Sequence, residues 1–142
     1  MPRARVVIVE DNRLFRETLE LLLALREEIE VVGSVEGGAE AVELCRTLEP
    51  DVVLMDYRMP GIDGARATAG VLDASPSSRV VCLTASVSAE EREYVLAAGA
   101  VACLMKDEGL DRIVDAILEA ASCAVGLTEA PTWPRFLGEC RS

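Results

Sequence analysis

Histidine is absent from all 142 residues. That excludes Ser-His-Asp and Cys-His catalysis and the zinc motifs that need an imidazole. Any chemistry must come from Asp, Glu, Lys, Thr, Ser or the backbone. Aromatic residues make up only 4% of the chain. No apolar run approaches the roughly 20 residues a membrane span needs. The N-terminus, Met1-Pro2-Arg3-Ala4-Arg5, is basic, but only Val6 to Val9 follow before Glu10, so no signal peptide is expected. No C-x-x-C pair occurs among Cys45, Cys82, Cys103, Cys123 and Cys140. Their number is odd and their spacing wide, which suggests neither a zinc site nor a disulfide framework; a reduced, cytoplasmic setting is the simplest reading. Neither G-x-G-x-x-G after the first apolar run nor a P-loop is present, so nucleotide binding is not indicated. Positive charge is scarce as well. With 14 basic against 25 acidic residues the net charge is −11, which disfavours nucleic acid or an anionic membrane as a direct partner of this segment and suits a site that attracts a divalent cation.

What the chain has is alternation. Val52-Val53-Leu54-Met55, bounded by Pro50 and Pro60, reads as a strand buried on both faces, with Asp56 at its carboxyl end. Arg5 to Val9 is an earlier strand that runs into Glu10-Asp11. Asn12 can then cap a helix reaching about Arg26, with Phe15, Leu19, Leu22 and Leu23 at helical spacing. Ile29 to Val35 alternates imperfectly, as a strand near a sheet edge can. Gly37-Gly38 make a turn into a helix from Ala39 to Leu48, whose Ala41, Leu44, Cys45 and Leu48 share a face and which Pro50 stops. A further helix is expected from Gly64 to about Ala74, with Ala65, Thr68, Val71 and Leu72 facing inward. Gly61, Asp63 and Gly64 serve the turn and the helix start.

Arg79 to Leu83 is a strand ended by Thr84-Ala85, and Ser88-Ala89-Glu90-Glu91 is a capping box for a helix carrying Tyr94 and Val95. Gly99 is its natural left-handed cap. Val101 to Met105 is the last strand, ending at Lys106. After the turn Asp107-Glu108-Gly109, an amphipathic helix follows with Leu110, Ile113, Val114, Ile117, Leu118 and Ala121 on one side. Strands alternating with helices imply an α/β fold, a doubly wound five-stranded parallel sheet with helices on both faces. Residues 1–121 form this domain. From Ser122 to Ser142 the pattern fades, and Pro131, Trp133, Pro134, Phe136 and Gly138 suggest an irregular tail or the start of a linker. Cys82 and Cys103 fall in buried strands and read as small apolar residues.

In an open parallel sheet, ligands bind at the carboxyl ends of the strands. Those ends deliver Glu10, Asp11, Asp56, Thr84 and Lys106 to one edge. Clustered carboxylates repel one another unless a cation joins them, and oxygen-only ligation suits Mg²⁺. An Asp carboxylate can act as a nucleophile and form an aspartyl phosphate. A metal and a lysine can neutralise a transferred phosphoryl group, and a threonine hydroxyl can donate to its oxygens. Each residue alone has a plainer role, such as a turn, a cap or a solvated lysine. Their joint placement favours a site that forms and holds an acyl phosphate on Asp56.

These residues resemble those of the receiver domain of two-component response regulators. The matching motifs are Glu10-Asp11-Asn12, Met55-Asp56-Tyr57-Arg58-Met59-Pro60-Gly61-Ile62-Asp63-Gly64, Thr84-Ala85 and Lys106-Asp107, spread over Arg5 to Ala121. The Lys-Asp junction looks most like the NarL/FixJ-type branch, whose members usually continue into a DNA-binding helix-turn-helix. The resemblance implies a flavodoxin-like strand order 2-1-3-4-5. It implies that Asp56 accepts a phosphoryl group from a sensor histidine kinase. Glu10, Asp11, Asp56 and the Arg58 carbonyl would hold Mg²⁺, Thr84 would be the switch hydroxyl, and Lys106 the counter-charge. Ala85 is small where the donor must approach. Such a chain is not an enzyme beyond its own phosphorylation and dephosphorylation. Its output is expected to be transcriptional, with a homodimer on phosphorylation as one form it can take.

Two features depart from that pattern. Cys103 stands where the family usually has Tyr or Phe, an aromatic that swings inward when the threonine moves. No helix-turn-helix follows, which leaves a stand-alone receiver, a truncated chain, or a tail with another role. One alternative is a pseudo-receiver, a binding module regulated without phosphorylation. Another is a Mg²⁺-dependent phosphatase of the haloacid-dehalogenase type. That chemistry needs a second Asp two residues after the nucleophile, where this chain has Arg58.

Overall fold

The computed structural model describes residues 3–85 and 88–125, with side chains described as far as Ser122. The expected tail from residue 126, with Trp133 and Phe136, lies outside the described residues.

Five parallel strands form one sheet in the order β2-β1-β3-β4-β5, as expected. They are β1 (Ala4–Val9), β2 (Ile29–Val35), β3 (Val52–Asp56), β4 (Arg79–Thr84) and β5 (Ala102–Met105). The helices are α1 (Arg13–Ala24), α2 (Gly38–Leu48), α3 (Gly64–Ala74), α4 (Ala89–Ala97) and α5 (Leu110–Val125), with a single 3₁₀ turn over Lys106–Glu108. Every residue of β3 and of β4 is buried. That explains the unbroken apolar reading of β3: a central strand of a doubly covered sheet has no solvent face. β2 lies at the edge and is mostly half-buried. Its register against β1 slips between Val6 and Val7, so that Val31 and Gly33 are successive partners. The bulge accounts for the imperfect alternation of this strand.

The core divides into two layers. One joins Val6, Ile8, Leu54 and Leu83 of the sheet to Leu19 and Leu23 of α1 and Ile113, Val114 and Ile117 of α5. The other joins Val7, Val9, Val53 and Met55 to Ala41 and Cys45 of α2, Ala65 and Val71 of α3, and Val95 of α4. Each fully buried aliphatic side chain contributes about 1.5–3 kcal/mol relative to exposure, so the two layers are the main source of stability. Most of the predicted inward positions hold, with Phe15, Leu44, Leu48, Leu72, Leu110, Leu118 and Ala121 at the margins and Leu22 half-buried outside both layers.

Helix ends follow the cap signals. Asn12 accepts from the Phe15 N–H at 2.9 Å and Asp63 from the Arg66 N–H at 2.9 Å. Ser88 and Glu91 form both halves of the capping box, at 3.1 and 3.0 Å. Gly99, directly after the cap residue Ala98, carries a positive φ of 121° and closes α4 as expected, with the Gly99 and Ala100 N–H groups donating to the Leu96 and Val95 carbonyls at 3.0 and 3.2 Å. Among the described residues of α4 only Val95 is buried, while Tyr94 is 52% exposed. α1 is apolar beyond its inward face: Leu14, Leu21 and Leu25 stand in solvent. α5 continues to Val125, past the expected domain end at residue 121.

Gly64 shows why this turn needs its glycine. A Cβ there would lie 2.6 Å from Tyr57 Cα and 2.7 Å from the Asp56 carbonyl oxygen. The Gly64 N–H meanwhile donates to the Tyr57 carbonyl at 2.7 Å. The loop after β3 is thereby folded tightly onto the strand end. Gly64→Ala should destabilise the domain by about 2 kcal/mol or more, because the obstructing atoms are backbone and cannot rotate away. A urea titration reads this directly; an unchanged midpoint would show that the loop can shift at no cost.

Candidate functional site

The parallel topology aims the ends of β1, β3, β4 and β5 at one edge. Glu10 directly follows β1, Asp56 ends β3, Thr84 ends β4 and Lys106 directly follows β5. Glu10 is 2% exposed, Asp56 5% and Thr84 1%; Asp11 is open to solvent. One oxygen from each of Glu10, Asp11 and Asp56 lies within 4.8 Å of the others. Lys106 Nζ stands 2.8 Å from Glu10 Oε1 and 3.6 Å from Asp56 Oδ1. The sequence-derived set of carboxylates and lysine is therefore brought together.

Glu10 is held from several sides. Its Oε2 accepts from the Asn12 N–H at 3.1 Å, and its carbonyl accepts from Arg16 at 2.9 Å. Lys106 in turn lies over the Phe15 ring, 4.6 Å from the centroid, a cation–π contact that braces the ammonium without taking up one of its hydrogens. Asp56 is less well served, since the ammonium is nearer to Glu10. Burial above all, then the charge of Glu10, pushes the Asp56 carboxyl up to about 7, against the pull of Lys106.

A cleft of about 540 Å³ opens beside this cluster, lined by Asp11, Tyr57, Arg58, Met59, Pro60, Asp63 and Glu91. The Arg58 side chain does not reach the carboxylates. It crosses the cleft to Glu91 Oε1 at 2.8 Å and lies 5.6 Å from the centre of the Tyr57 ring. The Arg58–Glu91 bridge, the Phe15 support and the Arg16 contact escaped the sequence reading. Phe15 was legible only as a core residue. Nothing in sequence spacing pairs Arg58 with a residue on α4.

The three carboxylates suit a hard divalent cation. They offer oxygen ligands only, and two of them are buried with one ammonium between them. Comparison with known proteins gives the arrangement a context. Residues 6–118 match the family model of the response regulator receiver domain. This chain belongs to that family.

Similar receivers include the probable transcriptional regulatory protein NarL of Mycobacterium tuberculosis, 40% identical over 119 residues, which cover 84% of this chain and 55% of that protein. The transcriptional regulatory protein LnrK of Bacillus subtilis is 38% identical over 118 residues, covering 83% and 54%. The chain thus spans about half the length of the curated relatives it matches. Among solved structures, the receiver domain of the putative response regulator NarL from M. tuberculosis superposes with a TM-score of 0.81 at 38% identity, covering 86% of this chain and 98% of that one. A LuxR-family response regulator from Aurantimonas gives 0.80 at 28% identity, covering 84% and 86%.

The raised Asp56 pKa has a thermodynamic consequence for the metal-free receiver. The folded state holds this proton more tightly than the unfolded chain. Its contribution to stability is therefore complete below about pH 4 and is lost as pH rises through about 7. Asp56→Asn is nearly isosteric and cannot ionise. It should match wild type near about pH 4 and exceed it near about pH 8, by a few kcal/mol at most. Denaturant midpoints at the two pH values measure this; a mutant less stable at the higher pH would contradict it.

Proposed function

We propose that this chain is a phosphorylation-controlled receiver in which Asp56 is the phosphoacceptor. The observation that carries the reading is a buried strand-end carboxylate, 3.6 Å from a lysine ammonium and clustered with two further carboxylates beside an open cleft. One Asp56 oxygen attacks the phosphorus of a phosphohistidine on a sensor histidine kinase. The P–N bond breaks as the P–O bond forms, and the imidazole leaves with the electron pair. Glu10, Asp11, Asp56 and the Arg58 carbonyl would hold Mg²⁺, with no protein nitrogen or sulfur ligand. When bound, the cation offsets the negative charge of the carboxylates and of the transferred group. It also favours the ionised form of Asp56, the nucleophilic one.

Lys106 supplies the second positive charge. In the unphosphorylated state it bridges Glu10 and Asp56, and a phosphoryl group on Asp56 would draw it outward. Thr84, buried at the end of β4, is the hydroxyl that answers the new phosphoryl oxygens, so that the ends of β4 and β5 report the modification. Self-phosphorylation and dephosphorylation are the only reactions this reading requires. The relatives named as transcriptional regulators support a transcriptional output through a segment beyond residues 1–121, with residues 122–142 as its connection. Homodimerisation on phosphorylation is one way to couple the two. Among the described residues no helix is long and apolar enough to cross a membrane, which accords with a cytoplasmic setting.

Intact mass after incubation with acetyl phosphate should rise by one phosphoryl group only with Mg²⁺ present, and not at all in Asp56→Asn. A folded wild type that gains nothing under conditions that phosphorylate an ordinary receiver would instead make this chain a binding module with the receiver fold. Lys106→Ala should slow uptake by roughly 10²-fold, the scale of losing one preorganised charge contact. An unchanged rate together with an unchanged conformational response would remove Lys106 from the site.

A further inference from the structure

Cys82 on β4 and Cys103 on β5 are direct register partners. Both are buried, on the same side of the sheet and in the same core layer as Met55 and Val95. Each thiol perturbs the ionisation of the other, that of Cys82 being raised and that of Cys103 lowered. The sequence makes each a small apolar filler, and burial agrees. Register adds what the sequence does not show, that the two thiols face each other across one strand gap. Neighbouring strands lie about 4.8 Å apart, inside the roughly 4.4–6.8 Å range of Cα separations that disulfides span.

We propose that Cys82 and Cys103 are a redox couple, closed to a disulfide by a hydroperoxide, that ties β4 to β5 directly behind the phosphoacceptor site. β5 is the last strand of the sheet, so a molecule as small as hydrogen peroxide has only the covering of one edge strand to pass. Cys103 reacts first. It lies on the terminal strand and is 3% exposed where Cys82 is wholly buried, and the neighbouring Cys82 and Arg92 hold its thiol below the usual range, whereas the Cys82 thiol is shifted up. The Cys103 thiolate attacks one peroxide oxygen, the O–O bond breaks, and a sulfenic acid and one water result. The Cys82 sulfur then displaces the second water from that sulfenic acid as the S–S bond forms. Two thiols are oxidised by two electrons, and the peroxide is reduced to two waters.

The bond has a mechanical effect. A disulfide brings its Cβ atoms to about 3.8 Å, nearer than the strand spacing sets them, so oxidation draws β5 toward β4. Thr84 lies two residues beyond Cys82, and Lys106 three beyond Cys103. The whole of α4 lies between the two cysteines, and its Arg92 already grips the Cys103 carbonyl at 2.7 Å. Closing the couple therefore fixes both flanks of α4 and displaces the two strand ends that bear on Asp56. A bond formed against the sheet geometry is strained, hence readily reduced and suited to reversible control.

The test begins with the full chain, folded, treated with hydrogen peroxide, then denatured in iodoacetamide and digested with trypsin without reductant. Cys82 and Cys103 fall in different tryptic peptides, Val80 to Arg92 and Glu93 to Lys106. The expected product is these two peptides joined, two hydrogens lighter than their sum, and released by dithiothreitol. Free alkylated peptides, or linkage of either cysteine to Cys45, Cys123 or Cys140 instead, would overturn the couple. The map on wild type decides this even if Cys82→Ala or Cys103→Ala fails to fold.

The second measurement rests on the phosphoacceptor reading. Oxidised protein should take up phosphoryl groups from acetyl phosphate roughly tenfold more slowly, as expected when reacting groups shift by a fraction of an ångström. Dithiothreitol should restore the rate, and Cys82→Ala should show no peroxide effect. Linkage with an unchanged rate would overturn the control while leaving the bond. A reduced protein that takes up nothing would count against the phosphoacceptor reading alone, since the peptide map does not depend on it.

Discussion

One interaction organises this molecule: two buried carboxylates, Glu10 and Asp56, share a single ammonium from Lys106. Taking charges out of water costs several kcal/mol apiece unless they are paired. The arrangement is tolerable only because the fold places all three within reach. Glu10 has the shorter ion pair and an additional backbone donor. Asp56 is left with the longer one, and with it the larger share of uncompensated charge. The sheet order makes this possible: β1 and β3 are adjacent and one strand, β4, separates β3 from β5, so the lysine leans across to both.

The surrounding contacts serve that triad. Phe15 braces the lysine from α1, Arg16 holds the Glu10 carbonyl, and Gly64 lets the loop after β3 fold back onto the strand end. The loop itself is fastened to α4 by Arg58 and Glu91, and the same Glu91 oxygen accepts from the Ser88 N–H. A cap at a helix N-terminus is thus also one post of the cleft. The bridge joins the loop after β3 to α4 across the cleft beside Asp11.

Much of this was legible in the sequence, for physical reasons that can be named. The apolar run before Asp56 meant a doubly covered strand because such a strand has no room for polar residues. The strand-end carboxylates, threonine and lysine were legible because parallel topology sends every strand end to one edge, whatever the loops do. The N-cap at Asn12 and the capping box at Ser88 are local, so they too could be read. Less legible were contacts set by side-chain direction: the bulge of β2, the turn of Arg58 toward α4, and Leu14, Leu21 and Leu25 left in solvent on a helix whose periodicity alone could not say where its apolar stripe ends. The facing of Cys82 and Cys103 was hidden for a different reason. It depends on register between strands separated by a whole helix, and register is a property of the sheet rather than of either segment.

The scant burial of α4 bears on how the domain moves. A helix fastened by Val95, by a surface ion pair at its start and by one arginine-to-carbonyl bond near its middle can detach with the loss of a single fully buried side chain from one core layer. The free energy of opening an element scales with the apolar contacts it surrenders, so this opening is set apart from global unfolding. This lightly held helix borders the charged site through the Arg58–Glu91 bridge. Force applied to α4 at that border therefore displaces one lightly held segment and leaves the other core layer in place.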